Sequence, residues 1–216
     1  MSSRVSFLID GFNLYHSLED WEVESGICVK WLDLKSVCNS FLMTIANSRD
    51  ENLVIEGIYY FTARISHYQK GNPQRVAKQR IYMKAVEATG VEIVEGAFRE
   101  KYPRCRNCGR KYRTHEEKMT DVAIACKALE LCHKDLTDIV VVITGDTDQI
   151  PPLNYINENF PQIRKVVVFP RGRVNNELRS YADIDLTLSS GNYSSNQFPD
   201  EITLSNGKTL TKPPTW

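Results

Sequence analysis

Short strand-like runs alternate with helix-like segments along the chain, and this alternation limits the folds that the sequence can adopt. Runs rich in valine, isoleucine and other apolar residues occur at 4–9, 53–62, 91–98, 138–144, 165–169 and 184–188. Apolar residues at helical spacing, or helix-start signals, mark 33–46, 73–88, 117–133, 151–159 and 175–181. The alternation predicts an α/β domain, a Rossmann-like three-layer sandwich with a mainly parallel sheet in strand order 3-2-1-4-5.

The length and composition predict one globular domain with a tail. The chain has 216 residues, of which 42% are hydrophobic and 25% are charged, so it can bury a core of ordinary size. We expect the domain at 1–190 and a polar tail at 191–216 that packs on it. No run approaches the roughly 20 apolar residues of a membrane helix, and the N-terminus lacks a secretory cleavage pattern. We therefore expect a cytoplasmic protein without membrane contact.

Four aspartates lie where parallel sheets gather functional groups. Asp10 ends the first strand, and Asp146 and Asp148 follow the fourth strand in the stretch VVITGDTDQIPPL. In the predicted order these two strands are neighbours, so their carboxyl ends meet at one edge of the sheet. Asp121 lies in the first turn of the helix that leads into the fourth strand. The four carboxylates are thus predicted to converge.

Converging carboxylates indicate a cation site. They raise one another's pKa unless a cation compensates, and oxygen ligands favour Mg²⁺ or Mn²⁺. Such ions orient water and neutralise charge in phosphodiester cleavage. Asn13, three residues after Asp10, is predicted to support the site. The competing interpretation is ordinary turn and helix-start chemistry at each acid, and the shared edge of the sheet favours the metal site.

A basic segment, at about 99–116, lies between the third strand and the next helix. Between 99 and 113 it carries seven basic residues and one acid, although the whole chain has 27 of each. Such a segment is predicted to contact the phosphates of RNA, and the alternative is a solvated loop. The candidate phosphate contacts are Arg104, Arg106, Arg110 and Lys111, together with Arg171 and Arg173 after the fifth strand.

The same segment contains a pair of cysteines at metal-ligand spacing. Cys105 and Cys108 form a C-x₂-C pair followed by Gly109, as in half of a zinc site. His115 is a candidate third ligand, and no second C-x₂-C pair is present in the sequence. One interpretation is a structural Zn²⁺ ion, bound by one chain or shared between the subunits of a homo-oligomer. The other is a loop with free cysteines or a reversible disulfide, and the sequence leaves both open.

Three motifs follow one another in a characteristic order along the chain. They are LIDGFNL around Asp10, EEKMTDVAIA around Asp121, and VVITGDTDQIPPL around Asp146 and Asp148. With KVVVFP, NNELRSYADI and the tail FPDEITLSNGKTLTKPPTW, they resemble the NYN domain family, a branch of the PIN-like nuclease superfamily. The resemblance implies a PIN-like fold and a metal-dependent ribonuclease. It makes the four aspartates metal-binding or catalytic acids, with Asn13 in support.

Two positions depart from the pattern of this family. Cys126 stands where many members carry a further acid, five residues after the one that matches Asp121, and Gln149 replaces a common phenylalanine. The first departure keeps a second function open, a NYN module that binds RNA or a protein partner without cutting. A phosphatase of the haloacid-dehalogenase type is disfavoured, because it needs a second aspartate where this chain has Phe12.

Overall fold

The computed structural model describes residues 2–47, 52–64, 73–214 and 216. The strands are β1 (Ser3–Asp10), β2 (Leu53–Ala63), β3 (Glu92–Lys101), β4 (Thr114–Lys118), β5 (Ile139–Ile143), β6 (Arg164–Phe169), β7 (Ile184–Thr187), β8 (Glu201–Thr203) and β9 (Thr209–Thr211). The helices are α1 (Gly11–Ser25), α2 (Leu34–Asn47), α3 (Pro73–Ala88), α4 (Thr120–His133), α5 (Ile150–Asn159), α6 (Asn176–Arg179) and α7 (Ser190–Ser195), and a 3₁₀ turn spans Thr147–Gln149. Across these residues no helix is long and apolar enough to span a membrane.

The main sheet of the described residues has seven strands in the order β4-β3-β2-β1-β5-β6-β7. β4 pairs antiparallel with β3, and all other neighbours pair in parallel. Because β5 and β6 are the fourth and fifth parallel strands along the chain, the predicted order 3-2-1-4-5 is confirmed, and β7 adds a sixth parallel strand. The chain order reverses between β1 and β5, the place where such sheets bind ligands.

Helices cover both faces of the sheet. Successive residues of a strand point to opposite faces, and in β1 and β5 they are buried in two different cores. Phe7 and Val141 belong to a core that includes residues of α1, α2 and α3. Leu8 and Val140 belong to a second core that includes residues of α4, α5 and α6. β5 and β6 are buried along their whole length, as parallel strands with two covered faces must be. The predicted three-layer α/β sandwich is confirmed.

Two elements near the predicted site differ from expectation. The sequence patterns do not mark α1, because Leu14 and Leu18 are its only large apolar side chains that are buried. The helix predicted at 117–133 begins later, at Thr120, since the preceding residues pair with β3 as the strand β4. Met119 lies between the two elements with φ 85, a left-handed backbone conformation that costs a non-glycine residue about 1–2 kcal/mol.

The tail packs on the first core through aromatic side chains. Tyr193 and Phe198 are buried there. The Trp216 ring centroid lies 6.4 Å from that of Trp31 and 5.5 Å from that of Tyr82. β8 and β9 pair with each other as a small antiparallel sheet. The aromatic contacts attach the tail to the side of the main sheet that α1, α2 and α3 cover.

Candidate metal centre

β1 and β5 lie side by side and end at the same edge of the sheet. In their parallel pairing Ile9 is opposite Ile143, so Asp10 and the loop after β5 leave the sheet at the same level. That loop carries Asp146 and Asp148, and α4 supplies Asp121 from its first turn. The strand order therefore gathers at one edge acids that are far apart in the chain.

Asp121, Asp146 and Asp148 form an acidic group whose geometry suits a cation. Each side chain offers one carboxylate oxygen, and the three oxygens lie within 4.8 Å of one another. Asp148 is exposed and the other two are half-buried, so the group is open to solvent. Its donors are all oxygen, which hard divalent cations such as Mg²⁺ and Mn²⁺ prefer. Among the described side chains, no other group of three or more metal-ligand residues is found.

Asp10 lies beside this acidic group and is not a member of it. Oδ1 of Asp10 accepts hydrogen bonds from the backbone N–H groups of Phe12, at 3.1 Å, and Asn13, at 3.0 Å, and thereby caps α1. Oδ2 accepts a hydrogen bond from the Thr144 hydroxyl at 2.8 Å. Burial raises the pKa of Asp10, these hydrogen bonds oppose the rise, and the charge of Asp146 adds to it. The role of Asp10 as a metal ligand stays a prediction.

Thr144 and Asn13 fix the loop that carries Asp146. The Thr144 hydroxyl, which donates to Asp10, accepts a hydrogen bond from the backbone N–H of Asp146 at 3.1 Å. Oδ1 of Asn13 accepts one from the backbone N–H of Gly145 at 3.0 Å. Asn13 therefore lies where a supporting residue was expected. Sequence reasoning missed Thr144, whose only signal was a hydroxyl between a buried strand and a Gly-Asp pair.

Gly145 and Gln149 hold the same loop from other directions. A Cβ atom on Gly145 would lie 2.1 Å from the backbone oxygen of Arg173, so the loop after β6 closes directly on this glycine. Gln149 is buried, and its Nε2 donates a hydrogen bond to the backbone oxygen of Asp121 at 3.2 Å. Gln149, which departs from the family pattern, thus joins the 3₁₀ turn to the first turn of α4.

Arg171 and Arg173, both predicted phosphate contacts, form ion pairs with acids of α1. The Arg171 guanidinium lies 2.7 Å from a carboxylate oxygen of Glu24 and 4.4 Å from the centroid of the Trp21 ring. Arg173 pairs with Asp20. Their charges are therefore balanced within the chain, and an RNA phosphate would compete with these carboxylates. Contact with nucleic acid at these two positions stays a prediction.

The basic segment forms the outer end of the hairpin made by β3 and β4. The backbones of Arg104 and Lys111 pair across it, and Lys118 lies at the base of the hairpin beside α4. Lys118 and Lys111 are seven positions apart, which is about 24 Å of extended strand. The structure therefore places residues 104–111, which form the hairpin tip, away from the base that adjoins Asp121. The four predicted phosphate contacts of the hairpin are all exposed: Arg104, Arg106, Arg110 and Lys111.

The two cysteines of the C-x₂-C pair share a tight turn at this tip. The backbone N–H of Gly109 donates to the backbone oxygen of Cys105 at 2.9 Å. The Cys105 sulfur accepts hydrogen bonds from the backbone N–H groups of Cys108 and Asn107 and from the Cys108 side chain, and these bonds lower the pKa of the Cys105 thiol. Both cysteines are free. The side chain of His115 lies outside the described residues, so its role as a zinc ligand stays a prediction.

Asp10→Asn is expected to stabilise the protein at neutral pH, by about 0.5–2 kcal/mol. Burial raises the folded-state pKa of Asp10 above its ordinary value of 3.8, so the ionised carboxylate costs stability at any pH above that raised pKa. The cost disappears as the pH falls from the raised pKa toward 3.8. Urea unfolding at neutral pH and at about pH 4 measures the difference. Equal stability of the two proteins at neutral pH would contradict the expectation.

Two known proteins resemble this chain over most of its length. A crystal structure of a protein of unknown function from Vibrio parahaemolyticus RIMD 2210633 has the same fold, with a TM-score of 0.55 at 16% identity, over 88% of this chain and 94% of that one. The 6-hydroxy-3-succinoylpyridine 3-monooxygenase HspA of Pseudomonas putida (strain DSM 28022 / S16) is 28% identical over an alignment of 243 positions, gaps included. The alignment covers 99% of this chain and 75% of that protein.

The family of the chain follows from a match over most of its residues. The model of the NYN domain matches residues 4–189. This range includes β1 apart from Ser3, β2 to β7, Asn13 and all four aspartates, and it ends just before the tail. The three motifs that resemble NYN proteins lie within it, in the same order along the chain. The chain therefore belongs to the NYN domain family.

Proposed function

We propose that the protein is a Mg²⁺- or Mn²⁺-dependent ribonuclease that cleaves RNA in the cytoplasm. The observation that carries the proposal is the group of three aspartates at the carboxyl edge of the sheet, with carboxylate oxygens within 4.8 Å of one another. Membership of the NYN family, which is nuclease-like, supports it. Acids in such an arrangement hold the divalent ions that assist phosphodiester cleavage.

The roles of the side chains follow from their positions. Asp121, Asp146 and Asp148 would hold the ion, which when bound supplies charge neutralisation at the scissile phosphate and lowers the pKa of a water molecule. Asp148 is the most exposed of the three, so it is the carboxylate best placed to orient the attacking water and accept its proton. Thr144 and Asn13 keep the loop in position through hydrogen bonds to its backbone N–H groups.

Cleavage of single-stranded and structured RNAs in the presence of Mg²⁺, Mn²⁺ or a chelator tests this proposal. We expect cutting that requires a metal ion and is lost in Asp146→Asn. Asp200→Asn is the matched control, because it removes the same charge from a side chain that is 84% exposed in the tail. RNA that is bound but left intact by the unaltered protein with either ion would contradict the ribonuclease.

A module that binds RNA without cutting it is the second candidate. Cys126, exposed on α4, occupies the position where many family members carry a further acid. In this case the exposed hairpin tip would supply basic side chains to the RNA phosphates, and removing each such side chain would reduce the log–log salt dependence of RNA affinity by about one. An unchanged salt dependence would exclude the tip when all four basic residues are replaced by alanine: Arg104, Arg106, Arg110 and Lys111.

The name of the Pseudomonas putida relative suggests a third candidate, a monooxygenase that acts on a pyridine. The donor set of the acidic group does not favour it, because non-haem iron oxygenases bind their metal with two histidines and one carboxylate. Oxygen uptake with 6-hydroxy-3-succinoylpyridine and a two-electron reductant such as NADH, measured on the same preparation as the RNA assay, separates the two activities. Uptake together with intact RNA would replace the ribonuclease by this candidate.

A further inference from the structure

We propose that the hairpin tip is one half of a zinc site, and that two copies of the chain join tip to tip around a shared Zn²⁺ ion. Each copy would supply Cys105 and Cys108. The acidic group takes no part, so this proposal stands independently of the ribonuclease.

The turn at the tip brings the two thiols together, since the Cys108 side chain donates a hydrogen bond to the Cys105 sulfur. It is closed by hydrogen bonds from the Gly109 N–H to the Cys105 oxygen and from the Cys105 N–H to the Arg110 oxygen, each of 2.9 Å. Gly109 has φ 68, which favours glycine and lets the chain turn back. The backbone N–H groups of Asn107 and Cys108 donate hydrogen bonds to the Cys105 sulfur, so the turn also fixes the position of this side chain.

A single chain leaves this site incomplete in the part that the structure describes. Structural zinc takes four ligands, and among the described side chains the only group of three or more metal-ligand residues is that of the aspartates. The backbone of His115 is opposite Glu100 in the hairpin, whereas the cysteine turn lies beyond the bridge between Arg104 and Lys111. The two levels are about 13 Å apart along the strands. The missing ligands are therefore best supplied by another molecule.

A second copy of the chain supplies ligands of the right kind in the same geometry. Two tips related by a twofold axis would place four sulfurs around one ion, with Zn–S bonds of about 2.3 Å. Cys108 is exposed and Cys105 is half-buried, so both thiols can be approached from outside. A zinc ion with four thiolates carries a net negative charge, which the exposed basic side chains of the two tips would offset: Arg104, Arg106, Arg110 and Lys111 of each copy. Without the ion these basic side chains repel one another, so the association should require zinc.

Light scattering coupled to size-exclusion chromatography, with metal analysis of the eluted protein, tests the proposal. The full chain with added Zn²⁺ is expected to elute as a dimer with one zinc ion per two chains, and to become a monomer after chelation. Cys105→Ser and Cys108→Ser are expected to stay monomeric and to lose this zinc. Cys126→Ser, which changes another exposed cysteine, should dimerise like the unaltered protein. Because the tip is exposed, circular dichroism should show every variant folded.

Substitution with Co²⁺ identifies the ligands, since thiolate charge-transfer bands appear only when sulfur binds the metal. Bands that vanish in Cys105→Ser and persist in Asp146→Asn would support the site at the tip. One metal ion per chain in a monomer would overturn the shared site. So would a zinc-treated protein that stays monomeric and metal-free, or a Cys105–Cys108 disulfide under reducing conditions.

Discussion

Replacing Asp146 by asparagine is expected to weaken Mn²⁺ binding by on the order of 10²- to 10³-fold. Two unit charges about 4 Å apart attract each other by about 4 kcal/mol at an effective dielectric constant of about 20. The second charge of the ion raises this value, the desolvation of the ion and the carboxylate lowers it, and about 1.4 kcal/mol corresponds to a factor of ten in affinity. Asparagine keeps an oxygen that can accept the hydrogen bond from the Asp148 N–H, which is 3.0 Å long, so the loop keeps its shape. Titration calorimetry with Mn²⁺ measures the loss.

The rate of RNA cleavage should fall with the occupancy of the ion. Asp121→Asn removes a charge of the same acidic group from a different element, α4. It should weaken Mn²⁺ binding to a similar degree. Asp200→Asn should leave the affinity within about twofold, because Asp200 is not a member of the acidic group and its side chain is 84% exposed, where water and salt weaken the effect of a charge. Unchanged Mn²⁺ affinity in both Asp146→Asn and Asp121→Asn would show that the acidic group is not the metal centre.

Gly145→Ala is expected to destabilise the protein by about 1–3 kcal/mol and to lower the proposed activity by about 10²-fold. The new Cβ would lie 2.1 Å from the backbone oxygen of Arg173, a separation that no methyl group can occupy. Either the loop after β5 or the loop after β6 must move. The first movement breaks the hydrogen bond from the Gly145 N–H to Asn13 and shifts Asp146. Chemical denaturation and the RNA assay measure the two effects.

Gly191→Ala provides the control for this substitution. The same methyl group on Gly191, in the first turn of α7, would lie 3.4 Å from the Ser189 hydroxyl oxygen, which is an ordinary contact. We expect unchanged activity and a stability within about 1 kcal/mol of the unaltered protein, since alanine is a better helix residue than glycine. If Gly145→Ala behaved in the same way as Gly191→Ala, the close approach of the two loops would not hold the site in place.

The sequence predicts the sheet well, because its signals are local and strong. β5 is a run of β-branched residues and β6 contains the run Val166–Phe169, a pattern typical of strands with both faces covered. The acid at the end of β1 lies beside those that follow β5 once these strands are neighbours. Asp121 is predicted for a similar reason, because the apolar pattern of α4 places this residue near the start of the helix.

The rest of the site depends on contacts between distant segments, which leave little trace in a local pattern. Nothing near Gly145 in the sequence indicates that the backbone of Arg173 lies against it. Thr144 looks like any strand-end hydroxyl until Asp10 is placed beside it. The ion pairs that engage Arg171 and Arg173 are hidden for the same reason, because their partners lie on α1, a helix that the apolar pattern does not mark.

Because β1 pairs with β5, the acidic group can take its place beside Asp10 only late in the synthesis of the chain. Asp10 and Thr144, which are joined by a hydrogen bond, are 134 positions apart, and contacts of such long range close slowly during folding. A ribosome adds about 5–20 residues per second, so β1 is synthesised many seconds before its neighbour β5. The proposed catalytic centre is therefore absent from the growing chain during most of its synthesis, while the ribosome is still translating the mRNA that encodes it.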